Sequence, residues 1–246
     1  MFRELEELAP RVYMFPRDDT PNTVQPNIGV LRLDHQTILI DAGNSPRHAH
    51  QIMAAMAGQN FPPIETIIYT HHHWDHTFAA ATYKAKTIIA HHQGTKIMAG
   101  YASRQWNAQI LRESILDNPR IEVSTNAMID AIPDWREFRI AKPTIAFHKN
   151  LTLYYDEMTL ELEHVGGKHA PDSIAIRIPE SGVIFVGDSY YPTPFSDDDD
   201  LALGMLDSFL DEKYTIYVDG HGAPRTYAEF ANMIAYESRR QELHRH

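Results

Sequence analysis

The chain has 246 residues, of which 43% are hydrophobic, and this favours one domain with a substantial core over two small domains. Its formal net charge of −11 at pH 7 disfavours nucleic acid as a partner, because phosphate binding depends on Lys and Arg. The absence of cysteine excludes disulfides and thiolate ligands, and no apolar run approaches the about 18 residues of a membrane helix.

The first quarter of the chain predicts strands that alternate with a helix. Its N-terminus is charged rather than apolar, which favours a cytoplasmic protein. A helix is predicted to begin at Pro46, with Ser45 as its N-cap, and to end at Gly58. This alternation is typical of layered α/β folds. The predicted strands are 11–15, 28–33 and 37–40.

A histidine-rich stretch follows the next predicted strand, residues 64–70. Four histidines and one aspartate lie within six residues. If the backbone stays extended, His71, His73 and Asp75 point the same way, whereas His72 faces elsewhere. His76 precedes a helix predicted for 77–83. Clustered imidazoles repel one another when protonated unless a cation replaces the protons, so we interpret the stretch as two adjacent metal sites.

The segment 95–143, which follows a strand predicted for 87–90, predicts helices. One runs from about Ile97 to Leu116 and is closed by Asn118-Pro119, and a second, short one precedes Pro133. The sequence leaves open whether the segment is a lid or pocket wall, or a packing element. Its aromatic residues, Tyr101, Trp106 and Trp135, fit core packing or a pocket. Two histidines before it, His91 and His92, fit capping or surface positions.

The last third of the chain predicts a second, meandering sheet followed by two helices. The acidic run 197–200 predicts the N-terminus of a helix over 201–210, since acids suit that end. Thr226 and Glu229 form a predicted capping box for the final helix. The predicted strands are 144–147, 151–155, 159–165, 173–178, 183–186 and 215–218.

Four stretches, in order, resemble motifs of the metallo-β-lactamase superfamily: His71-x-His73-x-Asp75-His76, then 167–173, 185–188 and 220–222. Asp41 is similar to an early aspartate of the same family. The resemblance implies an α/β fold, a four-layer αβ/βα sandwich in which two mixed sheets pack face to face with helices outside. It implies a single domain over residues 1–246 with a helical insertion around 95–143.

The resemblance also implies a ligand set for two divalent metal ions, with zinc favoured and iron or manganese as alternatives. The aspartate assigned to the bridging position is shared with glyoxalase II and homoserine lactonase-type members. One ion is assigned His71, His73 and His169, the other Asp75, His76 and His221, and Asp188 bridges both.

Three further residues receive alternative interpretations. Asp75 is also the candidate proton shuttle. Tyr191 either meets the substrate carbonyl, with Tyr190 as the competing candidate, or packs beneath the site. Lys168 either reaches an anionic substrate or lies on the surface.

The implied function is that of a binuclear metallohydrolase, in which a metal-bridging hydroxide attacks a small carbonyl substrate such as a lactone, ester, thioester or β-lactam. Coordination lowers the pKa of water from about 15.7 to about 7, which exceeds the effect of a general base. The alternatives are a phosphodiesterase or nuclease, a mononuclear iron oxygenase and a non-catalytic metal-binding scaffold. The expected partner is a small-molecule substrate without membrane association, and the oligomeric state stays open.

Overall fold

Two β-sheets lie at the centre of the computed structural model, which describes residues 3–20, 22–155 and 158–244. Strands β1 to β4 of the first sheet pair antiparallel, and β4 to β7 pair parallel. The seven strands follow sequence order: β1 (Glu6–Ala9), β2 (Val12–Phe15), β3 (Ile28–Arg32), β4 (Thr37–Ile40), β5 (Ile64–Ile68), β6 (Thr87–His91) and β7 (Ile145–Phe147).

The second sheet has six strands, and neighbours in the chain are neighbours in space. All its pairs are antiparallel except that of its fourth and fifth strands, which is parallel. The strands are β8 (Asn150–Tyr154), β9 (Thr159–His164), β10 (Ile174–Ile178), β11 (Val183–Gly187), β12 (Ile216–Asp219) and β13 (Arg225–Thr226).

One strand lies in a different sheet from the one predicted. The predicted meander is confirmed for β8 to β11, but assignment of 144–147 to the same series is wrong. Residues Ile145, Ala146 and Phe147 pair in parallel with Ile89, Ala90 and His91 of β6, so β7 is the last strand of the first sheet.

The two sheets pack face to face through a buried apolar core that includes Ile38 and Ile68 of one sheet and Ile176 and Phe185 of the other. They approach so closely that a Cβ at Gly29 would lie 2.9 Å from the Phe185 ring, which explains the glycine there. Separate apolar clusters join each outer face to helices. The predicted α/β fold with two mixed sheets and outer helices is confirmed.

The outer helices begin and end with recognisable capping residues. Helix α1 (Pro46–Met56) has Ser45 as N-cap, whose hydroxyl accepts a hydrogen bond from the backbone N–H of His48 at 3.2 Å. The helix ends at Met56 with Ala57 as its C-cap, so Gly58, where the helix was predicted to end, lies just after the cap. Two single turns, α2 (Trp74–Thr77) and α3 (Ala80–Tyr83), follow β5 in place of one helix over 77–83.

The helical segment 92–131 contains α4 (His92–Ala102), α5 (Ala108–Asp117), a 3₁₀ turn (Pro119–Ile121) and α6 (Glu122–Ala131). The single helix predicted from Ile97 to Leu116 is wrong, because the chain turns at 103–107. Asn107 starts the new helix there by accepting a hydrogen bond from the N–H of Ile110 at 2.9 Å.

The C-terminal region contains α7 (Leu203–Phe209) and α8 (Tyr227–His244). The predicted capping box is confirmed: Glu229 accepts from the Thr226 N–H at 2.8 Å, and its own N–H donates to the Thr226 hydroxyl at 3.3 Å. Every helix within the described ranges is too short or too polar to cross a bilayer.

The acidic run 197–200 does not start a helix, which corrects the prediction, because α7 begins only at Leu203. Its carboxylates instead pair with basic side chains from three distant segments. The pairs are Asp197 with Arg120 at 2.8 Å, Asp198 with Lys168 at 2.9 Å, and Asp200 with Arg240 at 2.9 Å.

Candidate metal centre

The predicted donor residues all lie beyond strand ends, either in loops or in the short helix α2. His71 follows β5, Asp188 follows β11 and His221 follows β12, while His169 lies between β9 and β10. Because β11 and β12 are parallel and β10 is antiparallel to β11, the loops that carry His169, Asp188 and His221 emerge at the same end of the second sheet.

The backbone after β5 does not stay extended, which corrects that expectation. His73 has extended backbone angles, but it is the N-cap of α2, so Asp75 and His76 lie in the first helical turn. The Thr77 hydroxyl donates to the His73 carbonyl at 2.9 Å and stabilises this turn. An acidic residue also suits a helix N-terminus.

Three imidazoles form the first donor group. His73 Nδ1 lies 3.0 Å from His71 Nε2 and 3.0 Å from His169 Nε2. Zn–N bonds of about 2.0 Å in tetrahedral geometry place neighbouring nitrogens about 3.3 Å apart, which is close to this spacing. The group could therefore hold one metal ion.

A second donor group contains two imidazoles and a carboxylate. Asp75 Oδ2 lies 3.1 Å from His221 Nε2 and 3.3 Å from His76 Nε2. His76 and Asp75 are buried, and His221 is partly exposed. These three residues could hold a second ion.

Asp188 lies between the two groups. Its Oδ2 is 3.3 Å from Nε2 of His169, 3.3 Å from Nε2 of His221 and 3.4 Å from Nε2 of His76. A Cβ at Gly220 would lie 2.0 Å from Asp188 Oδ1, so this close approach requires glycine. The carboxylate therefore occupies a position from which it could contact ions in both groups.

Unsatisfied buried atoms show that this donor set fits metal ions. Asp188 Oδ1 and His76 Nε2 are buried without a hydrogen-bond partner among the described residues. Such groups are rare and costly, and a cation in the cluster would satisfy them. Nitrogen and carboxylate oxygen donors suit zinc, iron or manganese.

Outer contacts orient three of the imidazoles, as is usual for metal-binding histidines. Asp41 was named from resemblance alone, and its role depends on tertiary contacts. Its Oδ2 lies 2.7 Å from His76 Nδ1, and its two oxygens also accept from the N–H and hydroxyl of Thr70. The other two contacts join His71 Nδ1 to Thr70 Oγ1 at 3.1 Å, and His169 Nδ1 to the Pro192 carbonyl at 3.3 Å.

The cluster holds its carboxylates ionised. Burial would raise the pKa of Asp188, but His221 and His76 outweigh it and hold that pKa well below its usual range. Burial lowers the pKa of His73 to about 3, whereas the carboxylates of Asp188 and Asp75 overcome burial at His221 and raise its pKa to about 10. His221 therefore carries a proton that a bound divalent cation would displace. The ionised carboxylates of Asp75 and Asp188 and the unprotonated imidazole of His73 suit such a cation.

Tyr191 lines the cavity above the cluster, and its hydroxyl donates to Asp219 Oδ1 at 2.9 Å. Tyr190 is fully buried and donates to the other oxygen of Asp219. The backbone N–H of His221 also donates to Asp219 Oδ1, at 3.0 Å. Sequence reasoning missed Asp219, although its place at a strand end directly before Gly220-His221 was a usable signal.

A cavity of about 770 Å³ opens beside the donor groups. His73, Asp75, Asp188 and His221 line it on the side of the cluster. The helical segment 92–131 forms much of the rest, so this segment is a pocket wall and a packing element at once. The segment contributes Tyr101, Trp106, Leu111, Ile121 and Met128 to the apolar lining, and Trp74 and Phe78 from the stretch after β5 adjoin them.

Four other positions singled out in the sequence lie outside the donor groups. Lys168 is exposed and pairs with Asp198, which agrees with the surface alternative. His91 was expected to cap or to lie on the surface; it takes the N-cap position of α4, but its ring is buried, makes no capping bond and stacks on His164 with centroids 3.6 Å apart. His92 lies beside it. Trp135 packs in the same apolar cluster as Trp106.

Solved structures share this fold at low sequence identity, which bears on the fold alone. A metallo-beta-lactamase family protein from Thermus thermophilus is 19% identical with a TM-score of 0.67, and the match covers 96% of this chain and 82% of that chain. A metallo-beta-lactamase from Pontibacter korlensis is 13% identical with a TM-score of 0.64, covering 96% and 99%.

A stereoselective inverting sec-alkylsulfatase from Pseudomonas sp. is 17% identical with a TM-score of 0.67. The match covers 96% of this chain but only 41% of the sulfatase. No curated protein matches this sequence.

The family model of the metallo-beta-lactamase superfamily matches residues 21–226. That span includes both sheets from β3 onward and all seven clustered donors. With its sequence match, its two mixed sheets and its histidine and aspartate cluster in agreement, this chain belongs to the metallo-beta-lactamase superfamily.

Proposed function

We propose that this protein is a binuclear metallohydrolase acting on a small carbonyl substrate, such as a lactone, ester, thioester or β-lactam. The observation that carries the proposal is the position of Asp188 Oδ2, within 3.4 Å of Nε2 atoms from both donor groups. Donors arranged in this way favour two ions that share one carboxylate over a single isolated ion.

The proposed ligands are His71, His73 and His169 for one ion, and Asp75, His76 and His221 for the other, with Asp188 shared. When bound, two divalent ions supply an acidified water and a Lewis acid that polarises the carbonyl. Zinc is our first choice, and iron and manganese accept the same donors.

Asp75 is the proposed proton shuttle as well as a ligand. Its carboxylate lines the cavity, where a substrate would lie. Burial would raise its pKa, but His76 and His221 outweigh that effect and hold the pKa well below the usual range. Asp75 is therefore ionised at neutral pH, as a proton acceptor must be.

The cavity favours a neutral substrate with an apolar portion. Aromatic and aliphatic side chains of the helical segment 92–131 line much of the cavity, and apolar groups gain about 0.8 kcal/mol per buried CH₂. Arg104 is the one Lys or Arg among the described lining residues, whereas Asp198 and Asp199 add negative charge. A phosphodiester would therefore meet little positive charge, which disfavours the nuclease alternative.

Metal analysis combined with a rate screen tests the proposal. The purified protein is expected to hold two ions per chain and to hydrolyse members of a panel of lactones, esters, thioesters and β-lactams faster than phosphodiesters or alkyl sulfates. Asp188→Asn should lower the metal content and reduce kcat by about 100-fold or more, because a shared ligand is lost. Asp130→Asn is the control, since this exposed carboxylate on α6 lies outside the donor groups.

Two results would contradict the proposal. One is a single bound ion in the active protein, with Asp188→Asn as active as the parent, which would favour a mononuclear oxygenase or a binding scaffold. The other is preferential cleavage of phosphodiesters.

A further inference from the structure

His72 is the middle imidazole of the histidine-rich stretch, and it belongs to neither donor group. Its neighbours His71 and His73 face the cluster, whereas the His72 ring lines the cavity with its centroid 6.0 Å from that of Tyr101. Its Nδ1 lies 2.6 Å from Asp172 Oδ1. Among the described residues, no group hydrogen-bonds to His72 Nε2, so one ring nitrogen is held and the other is free to meet a ligand.

Asp172 determines which nitrogen carries the proton. Its carboxylate is 2% exposed and lies in the loop that also carries His169. An ionised carboxylate can only accept, so in the neutral imidazole the proton lies on His72 Nδ1 and Nε2 has a lone pair. The cavity wall therefore presents a hydrogen-bond acceptor in a fixed orientation.

Helix α4 holds this carboxylate from the other side. A Cβ added at Gly94 would lie 2.4 Å from Asp172 Oδ2, so the first turn of α4 packs directly against it. Glycine is required there by close approach. Asp172 thus lies between His72 and the first turn of an 11-residue helix, and both contacts fix the position of its carboxylate.

We propose that His72 is a substrate-positioning residue oriented by Asp172. Its Nε2 accepts a hydrogen bond from a hydroxyl or amide N–H that the substrate carries beside its carbonyl group. This inference rests on the proposed hydrolase function and narrows its substrates to esters or lactones with such a donor. A purely structural His72–Asp172 link between the loop and α4 would give no preference between substrates.

Substrate pairs test this preference in the metal-loaded protein. An α-hydroxy ester and its α-methoxy analogue have the same carbonyl and chain, but only the first can donate. A single hydrogen bond predicts about a 2- to 13-fold preference in kcat/KM for the hydroxy ester, expressed mainly in KM. His72→Leu should abolish the preference with metal content unchanged, and His72→Gln should restore part of it, because its side-chain oxygen accepts.

Two glycine variants of the same helix supply a matched control. Gly94→Ala would displace the Asp172 carboxylate and should weaken the preference. Gly100→Ala brings the same gain in helix propensity, but a Cβ there has nothing within 4 Å, so the preference should be unchanged. If Gly94→Ala and Gly100→Ala showed the same preference for the hydroxy ester, the proposed role of Asp172 would be contradicted.

Two readouts without turnover separate this inference from the proposed function. Fluorescence of Trp74 and Trp106, which line the cavity, should report tighter binding of the α-hydroxy acid than of the α-methoxy acid, and His72→Leu should remove the difference. Side-chain ¹⁵N spectra at pH 8.5, with the His72 signal identified by its loss in His72→Gln, should show Nδ1–H. Equal binding of the two acids, or an Nε2–H tautomer, would overturn the inference even if the protein hydrolyses esters.

Discussion

Asp219 stabilises the surroundings of His221 without joining a donor group. Its carboxylate is 2% exposed and accepts from Tyr190, Tyr191 and the backbone of His221, and it pairs with Arg225. A buried charge is tolerated only when such partners compensate its lost hydration. The loop that carries a candidate ligand is therefore fixed by residues outside the metal centre.

The hydrogen bonds of Tyr190 and Tyr191 to Asp219 give a testable prediction. Tyr191→Phe and Tyr190→Phe each remove one hydroxyl donor to a charged group, so each should lower the free energy of unfolding by about 1.5–3 kcal/mol. Tyr191 alone of the pair lines the cavity, and we expect only Tyr191→Phe to lower kcat several-fold with metal content unchanged. Steady-state kinetics with metal analysis check this, and an unaltered kcat would make Tyr191 a packing residue.

Single residues also show what sequence could predict. The candidate donors lie in motif stretches that can be recognised locally, and the structure brings all seven together. The role of Asp172 depends on a contact with His72, 100 positions away, and on the approach of Gly94. Asp188 lies in such a motif stretch, whereas the role of Asp219 depends on partners that only packing brings to it, namely Tyr190, Tyr191 and Arg225.

The helical segment 92–131 connects packing with specificity. Trp106 packs edge-on against Phe78 with centroids 4.9 Å apart, and both rings line the cavity. Sequence periodicity predicted helices here but not the turn at 103–107, because a polar turn between two apolar stretches has no strong local signal. The same side chains that hold the segment in place thus shape the pocket.

Two substitutions in this segment test its role in specificity. Ile121→Asp places a charge on the cavity wall, whereas Leu116→Asp changes a side chain that is 82% exposed on α5. Because each buried CH₂ contributes about 0.8 kcal/mol, Ile121→Asp should lower kcat/KM about 10-fold or more for long-chain esters and much less for acetyl esters.

Kinetics over a straight-chain ester series measure the effect. Leu116→Asp should leave kcat/KM unchanged for every ester of the series. If kcat/KM fell equally for esters of every chain length, or fell equally in both variants, Ile121 would be excluded from substrate binding.

The metal centre lies where the two sheets meet. His71, His73, Asp75 and His76 follow a strand of the first sheet, while His169, Asp188 and His221 come from loops of the second. Bound ions would therefore link the two halves of the chain. We propose on this basis, and on the shared apolar core, that residues 1–246 form one domain with the helical segment inserted in it.

Removal of the metals should consequently destabilise the entire fold. A ligand at about 100 times its dissociation constant adds about 2.7 kcal/mol, and for a chain of this size each kcal/mol shifts Tm by about 2–4 °C. We expect chelation to lower Tm by about 5–11 °C and zinc to restore it.

Differential scanning calorimetry with parallel metal analysis measures this shift. Asp188→Asn should respond less to the chelator, and Asp130→Asn should respond like the parent. An unchanged Tm after verified metal loss would show that the ions do not link the sheets.

At the level of the whole molecule, sequence predicted the two sheets but not every strand's place in them. Strand β7 was assigned to the wrong sheet, because a three-residue apolar run indicates a strand but not its pairing partner. Strand β1, Glu6–Ala9, was not predicted, since its charged residues at a sheet edge resemble a surface loop.

The shared carboxylate of Asp219 has a consequence for how the protein can change over time. Tyr191 on the cavity wall and the backbone of His221 bond to the same oxygen, so a molecule that moves one disturbs the other. A substrate that displaces the Tyr191 hydroxyl would therefore act on the carboxylate that also holds the loop of His221. Evolution of specificity is therefore easier at the helical wall of the cavity, whose side chains belong to none of the donor groups.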